Sequence, residues 1–420
     1  MRVARFMCAV LVAGAVLAAG VLPEVHAQAG QARLLYLNFP RGQPAWLLPV
    51  RVFLWEGASP YRDVLEALCR GPRAGDVVGP ALPRGTRVER LTVASRIASV
   101  DLQPGKPEPR GSLANLAVQA IVHTLCQFPD VDRVVVRAGG RPWLPAGPEG
   151  VAPDPRVVFA GFPDLQGDAD DGAVLALTLR GVFSGYPDGM FRPQGALTRA
   201  EAIKSLVEAL PGRGLPVGMA RATAEIGFSD VPREHWVLPY LAEAMRRGIV
   251  PDARSHEAFS PGEALDGATL VEWLHRAAGD EAGAAIPDGS GRPWVEREMI
   301  SRAEWAGVLA GLLQLGGPDL WVVSPVTQAS LEGEVLVVGT ARWSRGQVSV
   351  TLMDSRGREL ASRSASLCSG AEGSGPGWFA EWLYFTRPLT SSAGIVEVSY
   401  QPPEDEGAAG TVLRIPVFIR

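Results

Sequence analysis

An internal repeat constrains this chain more than any other feature. Phe162-Pro163-Asp164-Leu165 and Phe228-Ser229-Asp230-Val231 can be laid side by side, and each is followed by a helical pattern. Similar turns come next, Arg180-Gly181-Val182 and Arg247-Gly248-Ile249. Phe191-Arg192-Pro193 and Phe259-Ser260-Pro261 then lead into a second helix in each copy. A third copy is truncated at its start but keeps Ile300-Ser301-Arg302-Ala303-Glu304, in step with Leu197-Thr198-Arg199-Ala200-Glu201. A period of about 67 residues is what an array of helical-hairpin modules produces.

Two flanking units follow from local composition. From Gly139 to Pro155 nine of seventeen residues are Gly or Pro, too dense for a helix and poor for a strand, so 144–158 reads as a linker. A second break falls at Gly316-Gly317-Pro318. The cuts leave an N-terminal unit at 32–143, the repeats at 159–316 and a C-terminal unit at 319–420. Part of the Gly and Pro content is background. Only Lys106 and Lys204 are lysine among 40 basic residues, and only Asn38 and Asn115 are asparagine, the signature of a GC-rich genome. Arginine is therefore no argument for a nucleic-acid partner; acids outnumber bases 45 to 40 and no basic run appears.

Arg2 and Arg5 precede an apolar stretch from Met7 to Leu22, and Val25-His26-Ala27 offers small residues for cleavage. Residues 1–27 read as a signal peptide cut after Ala27. No later segment is long and apolar enough to span a membrane, so a secreted, cell-wall location is expected. Cys69, Cys126 and Cys368 then remain, too few for a disulfide scaffold. Cys69 and Cys126 fall near the ends of two expected helices, as a bridge or as two buried thiols.

In the N-terminal unit Ser59-Pro60 starts a helix that Gly71-Pro72 stops, and Ser112 caps a second. Leu113, Leu116, Ala117, Ala120, Ile121, Thr124 and Leu125 form the second helix's apolar stripe. Val88 to Val93 and Ile97 to Leu102 flank a Ser95-Arg96 turn as a hairpin, and Val134-Val135-Val136 is a buried strand. These elements predict an α+β sandwich with the helices on one face. LCRGP at 68–72, LPRGTRV at 82–88, IASVDL at 97–102 and AIVHTLCQFPDVDRVVV at 120–136 resemble the GerMN domain of sporulation and spore-germination proteins. That resemblance implies a structural or binding role.

Gly181, Gly185-Tyr186-Pro187-Asp188-Gly189, Phe191, Pro193 and Thr198-Arg199-Ala200-Glu201 resemble the S-layer homology (SLH) repeat. The resemblance implies an α-helical bundle of three repeats that binds pyruvylated secondary cell-wall polysaccharide in the grooves between them. Arginine suits such a ligand, because its planar fork meets a carboxylate with two hydrogen bonds. Arg199 and Arg302 are the candidate glycan contacts, with surface or packing arginines as the alternative, and Tyr186 and Asp188 lie in the turn the family places at the groove. Thr198 with Glu201, and Ser301 with Glu304, have capping-box spacing. The second copy departs: Asp266-Gly267-Ala268-Thr269 lacks the arginine and the acid, so at most two intact grooves and weakened anchoring are expected.

From Asp319 onward the segments are β-rich: Glu334 to Gly339, Gln347 to Met353, Trp378 to Phe385, Ile395 to Tyr400 and Val412 to Ile419. Short strands at this spacing predict an all-β sandwich. SPVTQASLEGEVLVVGTARW at 324–343 and VSVTLMDSRGREL at 348–360 resemble the immunoglobulin-like domain of bacterial spore germination proteins. Trp343, Trp378 and Trp382 suit core packing or a carbohydrate platform.

No HExxH pair, phosphate loop, GxSxG elbow or dinucleotide fingerprint occurs. Asp168, Asp170, Asp171 and Gly172 lack the register of a calcium loop. No metal or cofactor is called for. The expectation is a multidomain, non-enzymatic wall protein whose partners are wall polysaccharide and sporulation, germination or envelope proteins. The competing expectation is an exported wall hydrolase with its site in the N-terminal unit.

Overall fold

The computed structural model describes residues 31–39, 46–54, 59–72, 77–143, 149–210, 227–251, 258–279, 294–369, 375–386 and 392–420. The expected signal peptide at 1–27 lies outside the described residues. No described helix is long and apolar enough to cross a membrane.

The N-terminal unit opens with two antiparallel strands, β1 (Gln31–Phe39) and β2 (Trp46–Leu54). Helix α1 (Pro60–Arg70) starts as expected, with the Ser59 hydroxyl accepting from the Arg62 amide and proline in the first turn. Strands β3 (Arg87–Ala94) and β4 (Ile97–Gln103) form the hairpin, with Ser95 and Arg96 at φ 50° and 62° in its two-residue turn. Helix α2 (Ser112–Leu125) departs from expectation at its start. Gly111, at φ 59°, is the cap and no side chain bonds there, while Ser112 already lies inside the helix. Strand β5 (Arg133–Ala138) runs parallel to β4 and pairs with β6 (Arg141–Pro142), completing a sheet ordered β3-β4-β5-β6.

Helix α2 is not laid on one sheet face. It packs between β1–β2 and β5, so Val118, Gln119 and Val122 are buried although they lie off the expected stripe. Leu113, placed on that stripe, is 52% exposed. A second layer thus buries the side that one-face packing leaves wet.

Of the stretch read as a linker, residues 144–148 lie outside the described set, and the rest is fastened to the N-terminal unit. Val151 bridges Val134, and Val158 bridges Leu47. Gln119 Nε2 donates to the Ala152 carbonyl, while its Oε1 accepts from the Asp154 amide. Proline blocks regular pairing here, yet isolated bridges and side-chain bonds still hold the backbone.

Between 159 and 316 the described regular structure is helical: α3 (Asp171–Leu179), α4 (Arg199–Ala209), α5 (Leu238–Arg246), α6 (Gly267–Ala278) and α7 (Arg302–Leu312). Every residue of α3 is buried. One side meets α7; the other meets β7 (Leu320–Ser324) and β9 (Glu334–Ala341), which the short β8 (Ala329–Leu331) separates in sequence. A helix apolar all round requires such enclosure.

The C-terminal unit continues with β10 (Gln347–Asp354), β11 (Glu359–Ala365), β12 (Gly377–Tyr384), β13 (Ser392–Gln401) and β14 (Thr411–Ile419). One sheet runs β11-β10-β13-β14-β8. The other runs β1-β2-β12-β9-β7 and therefore includes strands from both ends of the chain. At the seam β2 and β12 pair in parallel, Arg51 opposite Glu381 and Val52 opposite Trp382. Trp378 and Trp382, 2% and 3% exposed, belong to the core at this seam, whereas Trp343 is half-buried. The repeats are tied in as well: the Thr340 hydroxyl donates to the Gly172 carbonyl at 2.8 Å. A Cβ on Gly172 would lie 2.0 Å from the Trp321 ring, so only glycine lets α3 approach β7 this closely. One apolar cluster runs from Leu35 through Leu175 to Trp382.

Candidate functional site

The three copies meet at a closed ring of backbone hydrogen bonds. Leu197 N–H donates to the Ile300 carbonyl at 2.9 Å, Ile300 N–H to Leu265 at 3.0 Å, and Leu265 N–H to Leu197 at 2.7 Å. Each residue immediately precedes a helix cap, so the ring sets α4, α6 and α7 in cyclic order. Their free first-turn amides are met in the same order. Arg302 and Ala303 donate to Gly195 and Pro193, Arg199 and Ala200 to Glu263 and Pro261, and Gly267 to Arg297.

Local chemistry fixes each start. Thr198 with Glu201, and Ser301 with Glu304, form both halves of a capping box. In the second copy Asp266 accepts from the Thr269 amide at 2.8 Å and from its hydroxyl at 2.7 Å. The turns before the helices are held by a second pair of acids. Asp164 accepts from the Phe191 and Arg192 amides, and Asp230 from the Phe259 and Ser260 amides. Arg192 and Ser260 both have left-handed φ, 61° and 54°, which these carboxylates stabilise.

At the junction of copies one and three, the Arg302 guanidinium crosses into the first copy. It donates from Nε to the Phe191 carbonyl at 3.0 Å and from Nη1 to Glu201 at 2.7 Å. It lies 4.8 Å from the Tyr186 ring centroid and 4.6 Å from that of Phe191. Arg192 stacks on Tyr186 at 4.2 Å and pairs with exposed Asp188 at 2.7 Å. The Tyr186 hydroxyl reaches Glu201 at 3.2 Å. Tyr186, Asp188, Arg302 and Glu201 thus come together, with Arg192 as an addition.

Arg302 is 7% exposed, so most of its contact surface is already used inside the protein. The more exposed edge of the junction is formed by Tyr186, Arg192 and Asp188. Burial raises the Tyr186 hydroxyl above its usual range, with Arg302 opposing and Glu201 adding to the rise. A backbone bond from Met190 and the bond from Arg192 hold Asp188 below the ordinary carboxylate range. Lys204, one turn along α4, has its ammonium pKa lowered by burial.

Arg199 occupies the equivalent place between copies one and two. Its Nε donates to the Phe259 carbonyl at 2.7 Å, and its guanidinium lies 5.1 Å from the Trp273 ring centroid. It therefore belongs to a different junction from Arg302.

The third junction is built differently. Gly267 stands where the other copies have arginine, and a Cβ there would lie 1.6 Å from the Trp294 carbonyl oxygen. Arginine is sterically excluded. Arg297 supplies a guanidinium from the loop before α7, 4.2 Å from the Trp294 ring centroid and paired with Glu304. Burial opposes ionisation of Glu304, but the bonds from Ser301 and Arg297 outweigh it and keep the pKa low.

Asp164 and Asp230 hold the same place in the first two copies, so the repeat itself marks them. Arg297 has no counterpart in the other copies, so no periodic signal marks it. Cys69, Cys126 and Cys368 are free thiols. Among the described residues no group of three His, Cys, Asp or Glu side chains could hold a metal ion.

Residues 36–143 match the family described as Germane, sporulation and spore germination. Residues 161–203 match the S-layer homology domain. A cellulosome-anchoring protein of Acetivibrio thermocellus is 34% identical over 82 residues, which is 20% of this chain and 17% of that protein. Among solved structures, the first GerMN domain of the sporulation protein GerM from Bacillus subtilis shows 22% identity and a TM-score of 0.24. That likeness covers 30% of this chain and 96% of that one. A putative lipoprotein from Clostridium perfringens shows 15% identity and a TM-score of 0.19 over 29% of this chain and 81% of its own.

Proposed function

We propose that this is a non-catalytic cell-surface protein whose repeats anchor it to secondary cell-wall polysaccharide, while the GerMN-type unit and the β-sandwich serve sporulation, germination or envelope assembly. The observation that carries this reading is the Arg192–Tyr186–Arg302 stack over Glu201, which lies on the segment matching the S-layer homology domain and at its junction with the third copy. It presents the exposed Arg192 guanidinium, a group that suits a sugar carrying a pyruvyl carboxylate. The name of the cellulosome-anchoring relative agrees with wall attachment.

The shared sheet adds a mechanical consequence. Because β2 and β12 join the terminal units and α3 packs on β7 and β9, the anchor and the flanking units are packed together. A protein captured by either flanking unit is then held at the wall.

Co-sedimentation of the full chain with purified wall tests the reading, with muropeptide release followed in parallel. Binding without release supports an anchor. Release of muropeptides, or a chain that stays in the supernatant, overturns it.

A further inference from the structure

A second concave site lies away from the repeat junctions, where the repeats meet the sandwich. The β9–β10 connection, Arg342-Trp343-Ser344-Arg345, lines a cavity of about 650 Å³ together with Gln166 and Glu406. That volume falls in the range of small-molecule sites, roughly 300–1,000 Å³.

The connection is held in place from beneath. The Tyr400 side chain is 1% exposed, and its hydroxyl lies 2.8 Å from the Arg345 carbonyl and 3.3 Å from that of Trp343. Arg342 donates from Nε to the Gly167 carbonyl at 3.0 Å, and its guanidinium sits 4.8 Å from the Trp343 ring centroid. A half-buried indole is thereby presented to solvent on a fixed backbone. Arg345 reaches Asp405 at 3.1 Å and Glu406 at 3.2 Å, and its side chain is 58% exposed. Ion pairs this exposed contribute little to stability, so the guanidinium can exchange its partner for another carboxylate without great cost. The Gln166 amide and the Ser344 hydroxyl add polar groups suited to sugar hydroxyls.

We propose that this cavity binds a carboxylate-bearing sugar residue, its ring against the Trp343 indole and its carboxylate on Arg345. The site is separate from the junction at Arg302 and goes beyond the anchoring function.

Calorimetric titration of the full chain with N-acetylmuramic acid, glucuronic acid and carboxylate-free N-acetylglucosamine tests it. Millimolar binding of either acid, in preference to N-acetylglucosamine, is expected. Muramic acid as the ligand assigns the source to the peptidoglycan strand, and glucuronic acid assigns it to a uronic-acid polymer. Trp343→Ala should abolish binding, and Arg345→Ala should weaken it about tenfold and remove the preference for the acid. Arg345 is exposed, so circular dichroism of its variant provides a fold control. No binding of either acid, equal binding of N-acetylglucosamine, or wild-type binding by a folded Arg345→Ala variant overturns the proposal.

Discussion

Arg302 and Glu201 stand 101 residues apart in sequence, yet their side chains meet at 2.7 Å and join the third copy to the first. The same guanidinium satisfies the Phe191 carbonyl and lies over two aromatic rings. Removing it leaves Glu201 and a carbonyl short of a partner at a largely buried junction. Arg302→Ala should cost about 3 kcal/mol, the scale of breaking one side of a buried pair, read as a shift in the urea midpoint. Arg302→Lys should recover only part, because an ammonium cannot span both acceptors in the geometry of a planar fork. Among the described residues Arg199 donates to two neutral acceptors, Phe259 and Thr269, and Arg199→Ala should cost less, about 1 kcal/mol.

Restoring the repeat pattern in the second copy should do harm. Gly267→Ala places its methyl carbon against the Trp294 carbonyl, which is backbone and cannot move aside without shifting the loop. A loss of about 2 kcal/mol or more is expected, and Gly267→Arg should be worse. A neutral result for Gly267→Ala by thermal unfolding contradicts the close approach.

The seam between the terminal units should respond to pH. Glu381 is 1% exposed, and burial raises its carboxyl from 4.5 to about 8 despite Arg51 at 3.5 Å. The fold therefore favours the protonated acid, while the unfolded chain ionises first. Its contribution to stability should fall as pH rises from 4.5 to 8 and level off above. Glu381→Gln should flatten that slope and raise the midpoint at pH 9, measured by thermal unfolding across the pH range. On the acid side, Arg246 and Arg247 pull Glu243 down to about 2, so its contribution is complete above 4.5 and lost as pH falls towards 2.

Buried Cys69 and half-buried Cys126 and Cys368 should behave as unreactive thiols. Burial raises Cys69 to about 12 and the other two to about 11, so little thiolate forms at neutral pH. Slow reaction with a thiol reagent in the native chain, fast reaction in urea and a melting point indifferent to dithiothreitol are expected.

Much of this was legible in the chain because it is local. The Ser59 cap, the Ser95-Arg96 turn and the spacing of Thr198 to Glu201 depend on neighbours within a few residues. Five strands of the sandwich announced themselves by β-rich composition. The seam did not, since parallel pairing of β2 with β12 joins residues 330 positions apart and leaves no periodic trace. The burial of α2 on nearly all sides was hidden for the same reason: its second layer, the β1–β2 pair, was not foreseen. Within the site, repetition exposed Arg199 and Arg302, but it concealed Arg297, which reaches its junction from a different backbone position. Burial was the other blind spot. Sequence left Arg302 as a glycan contact or a packing arginine, and its burial against Phe191 and Glu201, beside Tyr186 and Arg192, depends on a residue 101 positions away.

Attachment through the repeats requires that they bind an acidic wall polymer. Pull-down of the full chain on pyruvylated and depyruvylated secondary cell-wall polysaccharide tests it most directly, with Arg192→Ala as an edge variant that leaves the buried Arg302 contact intact. Retention on the pyruvylated polymer, loss on the depyruvylated one and weakened retention by the variant are expected. Equal retention on both polymers contradicts it.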